Sequence, residues 1–267
     1  HVVDFMIRML APAGDEVVVD PSCGSGAFLS RARAHAETEK KPSAFGCDID
    51  VRAVRVARLL SLSDGADPSS ILQRDGLRRS ASKKVDLPTA DVIATNPPFA
   101  GRAPGDGFEV AKLVRTPERD VLFLDRSIGL LRPGGRLGIV LPYNKASGST
   151  FVQVRRWLVD RARVLAIVGL PRETFLPHTS QRTFVLFARK REAHERASDR
   201  ERTMFLVSER AGKDTGGEPI FAAASKSEPR ALDHDLGEVT RVLEPFLRAE
   251  GFGVPPAKTK TKTKTKT

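Results

Sequence analysis

Short apolar runs, many of them β-branched, recur along this chain; most stop at a turn rich in Gly, Asp or Pro and give way to a stretch of helical periodicity. The spacing predicts strands over 17–20, 44–48, 71–75, 91–95, 136–141, 164–170, 183–188 and 204–207. Helices are expected over 2–10, 27–39, 51–62, 120–131, 152–160 and 236–247, with turns at 11–14, 133–135 and 214–219. Alternation of this kind implies an α/β fold of the Rossmann-like type, with a mostly parallel central sheet and helices on both faces. In such sheets ligands bind beyond the carboxyl ends of the strands, so the residues just after each strand are where chemistry is to be sought.

Four strand ends carry a message. After Val17–Val19 comes Asp20-Pro21-Ser22-Cys23-Gly24-Ser25-Gly26, in which Gly24 and Gly26 let the backbone turn tightly and approach a ligand before a helix begins. Leu29 stands where a dinucleotide fingerprint has its third glycine. A nucleoside carrying an amino-acid chain therefore fits better than a pyrophosphate. Asp48 closes the second strand, where a carboxylate can accept both ribose hydroxyls, with Asp50 as the nearby competitor. Asp75 follows the third strand and can accept from an exocyclic amine. Each aspartate alone reads equally well as a helix cap or loop residue; their serial placement argues for a site.

The fourth end is Asn96-Pro97-Pro98-Phe99. Asn-Pro is a common turn initiator. Two prolines in succession, however, stiffen the backbone and remove two N–H donors, which fixes the Pro97 carbonyl outward. That carbonyl and the Asn96 amide oxygen form a pair of acceptors for the two hydrogens of a planar NH2 group. Accepting both draws the nitrogen lone pair out of conjugation and makes it nucleophilic. Phe99 offers a face on which an extruded base can stack.

The runs DPSCGSGAFL, GCDID, QRDGL and ATNPPF, in this order, resemble the motifs of S-adenosylmethionine-dependent N6-adenine DNA methyltransferases of the gamma type. LFLDRSIGLLRPGGRLGIVLP, VRRWLVDRARVLAIVGLPRETFLPHTSQRTFVLFARK and MFLVSERAGKDTGGEPI are similar to modification subunits of type I restriction-modification systems. The resemblance spans roughly residues 1 to 250. It implies S-adenosyl-L-methionine as cofactor, held by Asp20, Pro21, Cys23, Gly24, Gly26, Asp48 and Asp75. It also implies catalysis by Asn96, Pro97, Pro98 and Phe99 on the N6 amine of adenine in double-stranded DNA, with a restriction-modification or related phage-defence role. The family places an aromatic-Thr-Pro segment ahead of the helix matching 2–10; this chain starts after that point, at His1, and reads as a piece of a longer polypeptide. Methylation of an RNA base or a protein glutamine, or a non-catalytic methyltransferase-like subunit, are the alternatives.

Charge bears on the partner. The net +11 of the 267 residues divides unevenly: 1–190 carry an excess of nine basic side chains, 191–257 an excess of three acidic ones, and the KTKTKTKTKT tail five lysines. A catalytic domain over 1–190, a small extension over 191–257 and a disordered tail over 258–267 are expected. The basic body suits a polyanion, with candidate phosphate contacts in the insertion 101–119 (Arg102, Lys112, Arg115), at Lys145 in the loop 144–150, and over 172–182. No second domain large enough to read sequence stands out, so a separate specificity subunit, or chain regions outside this one, is expected to choose the target. The histidines lack a metal-ligand spacing and Cys23 and Cys47 are too few for a zinc site, so no metal is expected. Two cysteines, the absence of a spanning apolar stretch and the lack of a signal-peptide pattern suit a cytoplasmic protein away from membranes.

Overall fold

The computed structural model describes residues 1–36, 40–78, 86–222 and 231–253. The strands are β1 (Val17–Asp20), β2 (Ser43–Asp48), β3 (Ile71–Gln73), β4 (Ala90–Thr95), β5 (Leu131–Pro142), β6 (Ala162–Leu170), β7 (Thr183–Lys190) and β8 (Met204–Val207). Seven α-helices intervene: α1 (Val2–Leu10), α2 (Ala27–His35), α3 (Val51–Ser63), α4 (Arg119–Leu130), the short α5 (Asn144–Ser147), α6 (Val152–Arg161) and α7 (Leu236–Ala249). All eight strands form one sheet in the order β3-β2-β1-β4-β5-β7-β6-β8. β7 runs antiparallel to both of its neighbours; every other pairing is parallel. The protein has the α/β, mostly parallel architecture that the alternating pattern implies.

Period-two burial builds the two layers. Val18, Val92, Ala94, Val185 and Phe187 pack into one core with α1, α2, α3 and α7, whereas their chain neighbours Val19, Ile93, Leu186 and Ala188 pack into the other with α4 and α6. The central strands β1, β4, β5 and β7 are buried on both sides, which is why they read as near-continuous apolar runs, whereas β8 at the sheet edge leaves Phe205 and Val207 exposed. α1 ends where Ala11 takes a left-handed conformation (φ 43°), its N–H donating to the Ile7 carbonyl. At the foot of the sheet the buried Arg136 donates to both oxygens of Glu16 and to the carbonyls of Leu10 and Ala11, tying β5 to the α1–β1 connection.

Two elements differ from expectation. The Pro133-Gly134-Gly135 segment lies inside β5 rather than forming a separate turn: the β4–β5 register shifts between Ala90 and Val92, and Gly134 adopts φ 75°, so an irregularity in the strand absorbs it. The segment after residue 190 is also built into the main body. β8 extends the sheet beside β6, and α7 buries Leu236, Val239, Leu243 and Leu247 in the same core as α1. The 258–267 tail lies outside the described residues. A Leu243→Ala variant should lower the stability of the whole body by about 2–5 kcal/mol in denaturant unfolding, because a fully buried leucine of the shared core is lost. Unchanged unfolding of residues 1–190 would show that α7 is an independent appendage.

Candidate active site

Because β3, β2, β1 and β4 are successive parallel neighbours, their carboxyl ends bring Asp75, Asp48, Asp20 and Asn96 into one row. At the usual inter-strand spacing this edge is roughly 14 Å long. A cleft of about 530 Å³ elsewhere, lined by Arg33, Ala44, Asp67 and Pro88 among others, contains none of these residues. Position in the sheet, not cavity size, locates the site.

The first turn is held from both sides. Gly24 has φ 52° with nothing within 4 Å of where a Cβ would stand, so open space flanks its backbone. Its N–H donates to Asp48 Oδ2 at 2.9 Å, while the Asp50 N–H donates to Asp48 Oδ1 at 2.9 Å. Each carboxylate oxygen has a further lone pair for a ligand hydroxyl. Asp50, by contrast, caps α3 by accepting from the Arg52 N–H and pairs with the Arg52 guanidinium. Gly26 has φ 86°, and a Cβ there would lie 3.0 Å from that of Ala57, so α2 starts where only glycine lets α3 approach.

Cys23 contributes backbone rather than thiol to this edge. Its N–H donates to the Cys47 carbonyl at 2.9 Å and its side chain is buried in the core. Burial pushes the Cys23 thiol up, and pushes Cys47, whose Sγ lies 3.4 Å from the Pro21 carbonyl oxygen, up to about 12. Both are neutral, unreactive thiols near neutral pH. Asp75 accepts from the Leu77 N–H at 3.0 Å and faces the Arg119 guanidinium at 3.6 Å.

Asp20 is 1% exposed. Its Oδ1 accepts from the Thr95 hydroxyl at 2.6 Å and from the Ser22 N–H at 3.0 Å. Burial pushes its carboxyl up to about 7, and the charge of Asp48 adds to this, against the lowering effect of the Thr95 and Ser22 bonds.

Immediately after Thr95, the Asn96 side-chain oxygen is buried and has no hydrogen-bond partner. Pro97 is buried, Pro98 exposed, and Phe99 half-buried. The Phe99 ring meets Phe175 edge-on, with centroids 5.8 Å apart and planes at 71°. Phe175 belongs to the short helical turn after β6. An unpaired buried carbonyl oxygen is costly and uncommon in a folded protein. It leaves an acceptor unused at the end of β4, three residues before Phe99.

The chain belongs to the N-6 DNA methylase family. The family model matches residues 1–217. The chain is 29% identical over 202 residues to the type I restriction enzyme EcoEI methylase subunit of Escherichia coli, covering 71% of this chain and 41% of that protein. It is 30% identical over 203 residues to the EcoKI methylase subunit of Escherichia coli strain K12, covering 69% and 38%. The chain thus spans about two-fifths of the length of these relatives. Its fold is shared with the crystal structure of the EcoKI M protein (TM-score 0.64, 22% identity, 96% of this chain and 54% of that one). It is shared equally with a type I methyltransferase subunit from Streptococcus thermophilus (TM-score 0.65, 17% identity, 92% and 52%).

Several residues at this edge of the N-6 DNA methylase fold have no local signature in the sequence. Thr95, directly before Asn96 at the end of β4, takes its role from Asp20 of β1, a partner that no local pattern announces. Gly76 is another: a Cβ there would lie 1.9 Å from the Pro21 carbonyl oxygen, so the turn after β3 fits against the first motif only as glycine. Arg119 emerges only in three dimensions. Of the expected phosphate contacts, Arg102, Lys112, Arg115, Arg172 and Arg182 are exposed. Lys145 is not: it is 6% exposed, paired with Glu118 at 2.9 Å and Asp120 at 3.2 Å, and lies over the Phe151 ring. Its charge is already neutralised, which removes it from the candidate DNA contacts. Among the described residues no cluster of three or more His, Cys, Asp and Glu side chains is placed to hold a metal ion, and no helix is long and apolar enough to cross a membrane.

The raised Asp20 carboxyl makes stability depend on pH. A group whose folded pKa, about 7, lies above its unfolded value of 3.8 stabilises the fold when protonated. That contribution is complete below about pH 3.8 and is lost as the pH rises through 7. Relative to Asp20→Asn, the wild type should lose stability on the order of a few kcal/mol between pH 4 and 8 in denaturant titrations. Parallel pH profiles for the two proteins would contradict the assignment.

Proposed function

We propose that this chain is the catalytic domain of an enzyme that methylates the N6 amine of adenine in double-stranded DNA, as the modification component of a restriction-modification or related phage-defence system. The observation that carries the reading is the buried, unpartnered Asn96 oxygen at the end of β4, next to Phe99 and in the same row as the Gly24 turn. A planar amine with two hydrogens, attached to a ring that stacks, is the ligand this arrangement best suits.

The open space beside Gly24 and the spare lone pairs of Asp48 fit S-adenosyl-L-methionine. Gly24, Gly26, Pro21 and the Cys23 backbone would line its amino-acid chain, with Asp20 at the base of the turn. Asp48 would accept its ribose hydroxyls, and Asp75 the amine of its adenine. The cofactor supplies an electrophilic methyl group on a sulfonium sulfur. The chain's own part is to orient and activate the acceptor. Asn96 Oδ1 and the Pro97 carbonyl oxygen accept the two N6 hydrogens, leaving the nitrogen lone pair directed at the donor. Pro98 keeps the turn rigid, and Phe99 holds the extruded base by its face. A base in duplex DNA reaches this depth only by leaving the stack, so base flipping is part of the reading.

Exposed Arg102, Lys112 and Arg115 follow Phe99 in the chain, Arg172 opens the turn that carries Phe175, and Arg182 follows it. These side chains suit the phosphates on either side of a flipped base. Among the described residues no element is evident for reading base edges over several positions, so target choice is assigned to a separate specificity subunit or to regions beyond this chain.

The test is to express the full-length gene with its neighbours and map modified bases in genomic DNA. N6-methyladenine at a defined sequence is expected, reduced at least about 100-fold by Asn96→Ala. N6-methyladenine that persists unchanged in that variant would overturn the assignment. DNA binding should weaken steeply from low to moderate salt, with a shallower dependence in Arg102→Ala/Arg115→Ala. A salt slope unchanged by the double substitution would remove the insertion from the DNA interface.

A further inference from the structure

The turn after β1 and the turn after β4 are 76 positions apart in sequence between Asp20 and Asn96, yet they are joined by buried side-chain hydrogen bonds. Thr95, 0% exposed, donates its hydroxyl hydrogen to Asp20 Oδ1 at 2.6 Å. The Ser22 hydroxyl lies 2.9 Å from the same Thr95 oxygen, and with the Thr95 hydrogen committed to Asp20, Ser22 is the donor of that pair. Ser22 closes the loop by donating its own N–H to Asp20 Oδ1. A three-residue clasp of carboxylate and two hydroxyls therefore locks one turn to the other, one residue away from the unpartnered Asn96 oxygen.

We propose that Thr95 is a positioning residue for methyl transfer: its hydroxyl fixes the distance and angle between the cofactor turn and the catalytic turn through Asp20 and Ser22. The inference rests on the reading of these turns as methyl-donor and methyl-acceptor sites. The β1–β4 backbone pairing, Val18 with Val92 and Val19 with Ile93, ends before either turn begins. Beyond it, β4 stays paired with β5 as far as Thr95, and on the β1 side the side-chain clasp continues the link towards Asn96. Transfer between two bound groups is sensitive to displacements of about 1 Å, which cost up to about 100-fold in rate.

The clasp has an electrostatic consequence that plain packing would lack. Asp20 is faced by Asp48 and the neutral Cys47 thiol from β2, by the neutral Cys23 thiol from its own turn, and by the uncharged Thr95 hydroxyl from β4. Arg74 and Arg126 are felt at Cys47. Among these groups the Thr95 hydroxyl is the strongest influence holding the Asp20 carboxyl down against its burial. Without it, Asp20 takes up its proton at higher pH, and a cationic ligand held at this turn loses a negative neighbour at neutral pH.

The experiment compares wild type, Thr95→Val and Thr95→Ser in the full-length protein with its partner subunits. Valine keeps the shape and β-branching and deletes the hydroxyl; serine keeps the hydroxyl. Three quantities are read: kcat for DNA adenine methylation, KM for S-adenosylmethionine, and the Kd for S-adenosylmethionine by calorimetry between pH 5.5 and 8.5, chosen as about 1.5 pH steps either side of neutrality. Thr95→Val should lower kcat about 10- to 100-fold, with a smaller change in KM. It should also move the acid limb of cofactor binding to higher pH; Thr95→Ser should restore both to within about threefold of wild type. A Thr95→Val enzyme with wild-type kcat and an unmoved acid limb would overturn the proposal, as would one that only melts earlier. Failure of the wild type itself to bind S-adenosylmethionine would instead overturn the reading of the two turns. Wild-type binding with no variant effect would overturn the clasp alone.

Discussion

The parallel pairing of β1 with β4 is the constraint on which the candidate site depends. Only two residue pairs set its register, Val18 with Val92 and Val19 with Ile93, and all four of these side chains are fully buried. A slip of one residue would exchange the two faces of a strand and drive each valine and isoleucine into the wrong core. Register is thus set by packing on both sides of the sheet. It brings Asp20 and Asn96 to adjacent strand ends. The other motifs follow from the same order: β2 and β3 add Asp48 and Asp75 on the far side of Asp20, and β5 covers the flank beyond Asn96.

Polar groups along this edge are arranged at a cost to the folded chain. Asp20 is buried with its carboxyl pushed up to about 7, and the Asn96 oxygen is buried without a partner. Both would be tolerated only where packing over-determines the backbone, as it does at the ends of β1 and β4. Under the proposed reading, a ligand amine and a cationic donor would meet groups already in place, with little rearrangement at the moment of reaction. Arg119 pairs with Asp75 on this edge, and other ion pairs brace the scaffold. Arg136 with Glu16 joins elements at the opposite end of the sheet, and Lys145 with Glu118 and Asp120 anchors the segment after β5 against α4.

The motifs legible in the sequence are those in which one strand end suffices to see the point. Gly24, Gly26, Asp48 and Asn96-Pro97-Pro98-Phe99 each follow their own apolar run, and the run's length and composition announced the strand. Residues whose meaning lies across strands were not legible. Thr95 gains its partner from β1, Gly76 its necessity from Pro21, and Arg119 its contact with Asp75 through the fold of the 101–119 insertion. Lys145 misled for the same reason: a lysine in a Gly/Ser-rich loop reads as exposed, and only the packing of Phe151, Glu118 and Asp120 around it shows otherwise. The acidic balance of 191–257 suggested an appendage because charge was counted without the burial of Leu236, Val239, Leu243 and Leu247 on one face of α7.

The central claim is that the unpartnered Asn96 oxygen is the acceptor for the exocyclic amine of a flipped adenine. A structure of the full-length protein, with its partner subunits, S-adenosylhomocysteine and a duplex carrying its recognition site, tests this most directly. The account predicts an adenine out of the helix, its N6 within about 3 Å of both Asn96 Oδ1 and the Pro97 carbonyl oxygen, and its ring against Phe99. An adenine that remains stacked in the duplex, or a flipped base whose amine is bound elsewhere while Asn96 Oδ1 pairs with a protein donor, would contradict it.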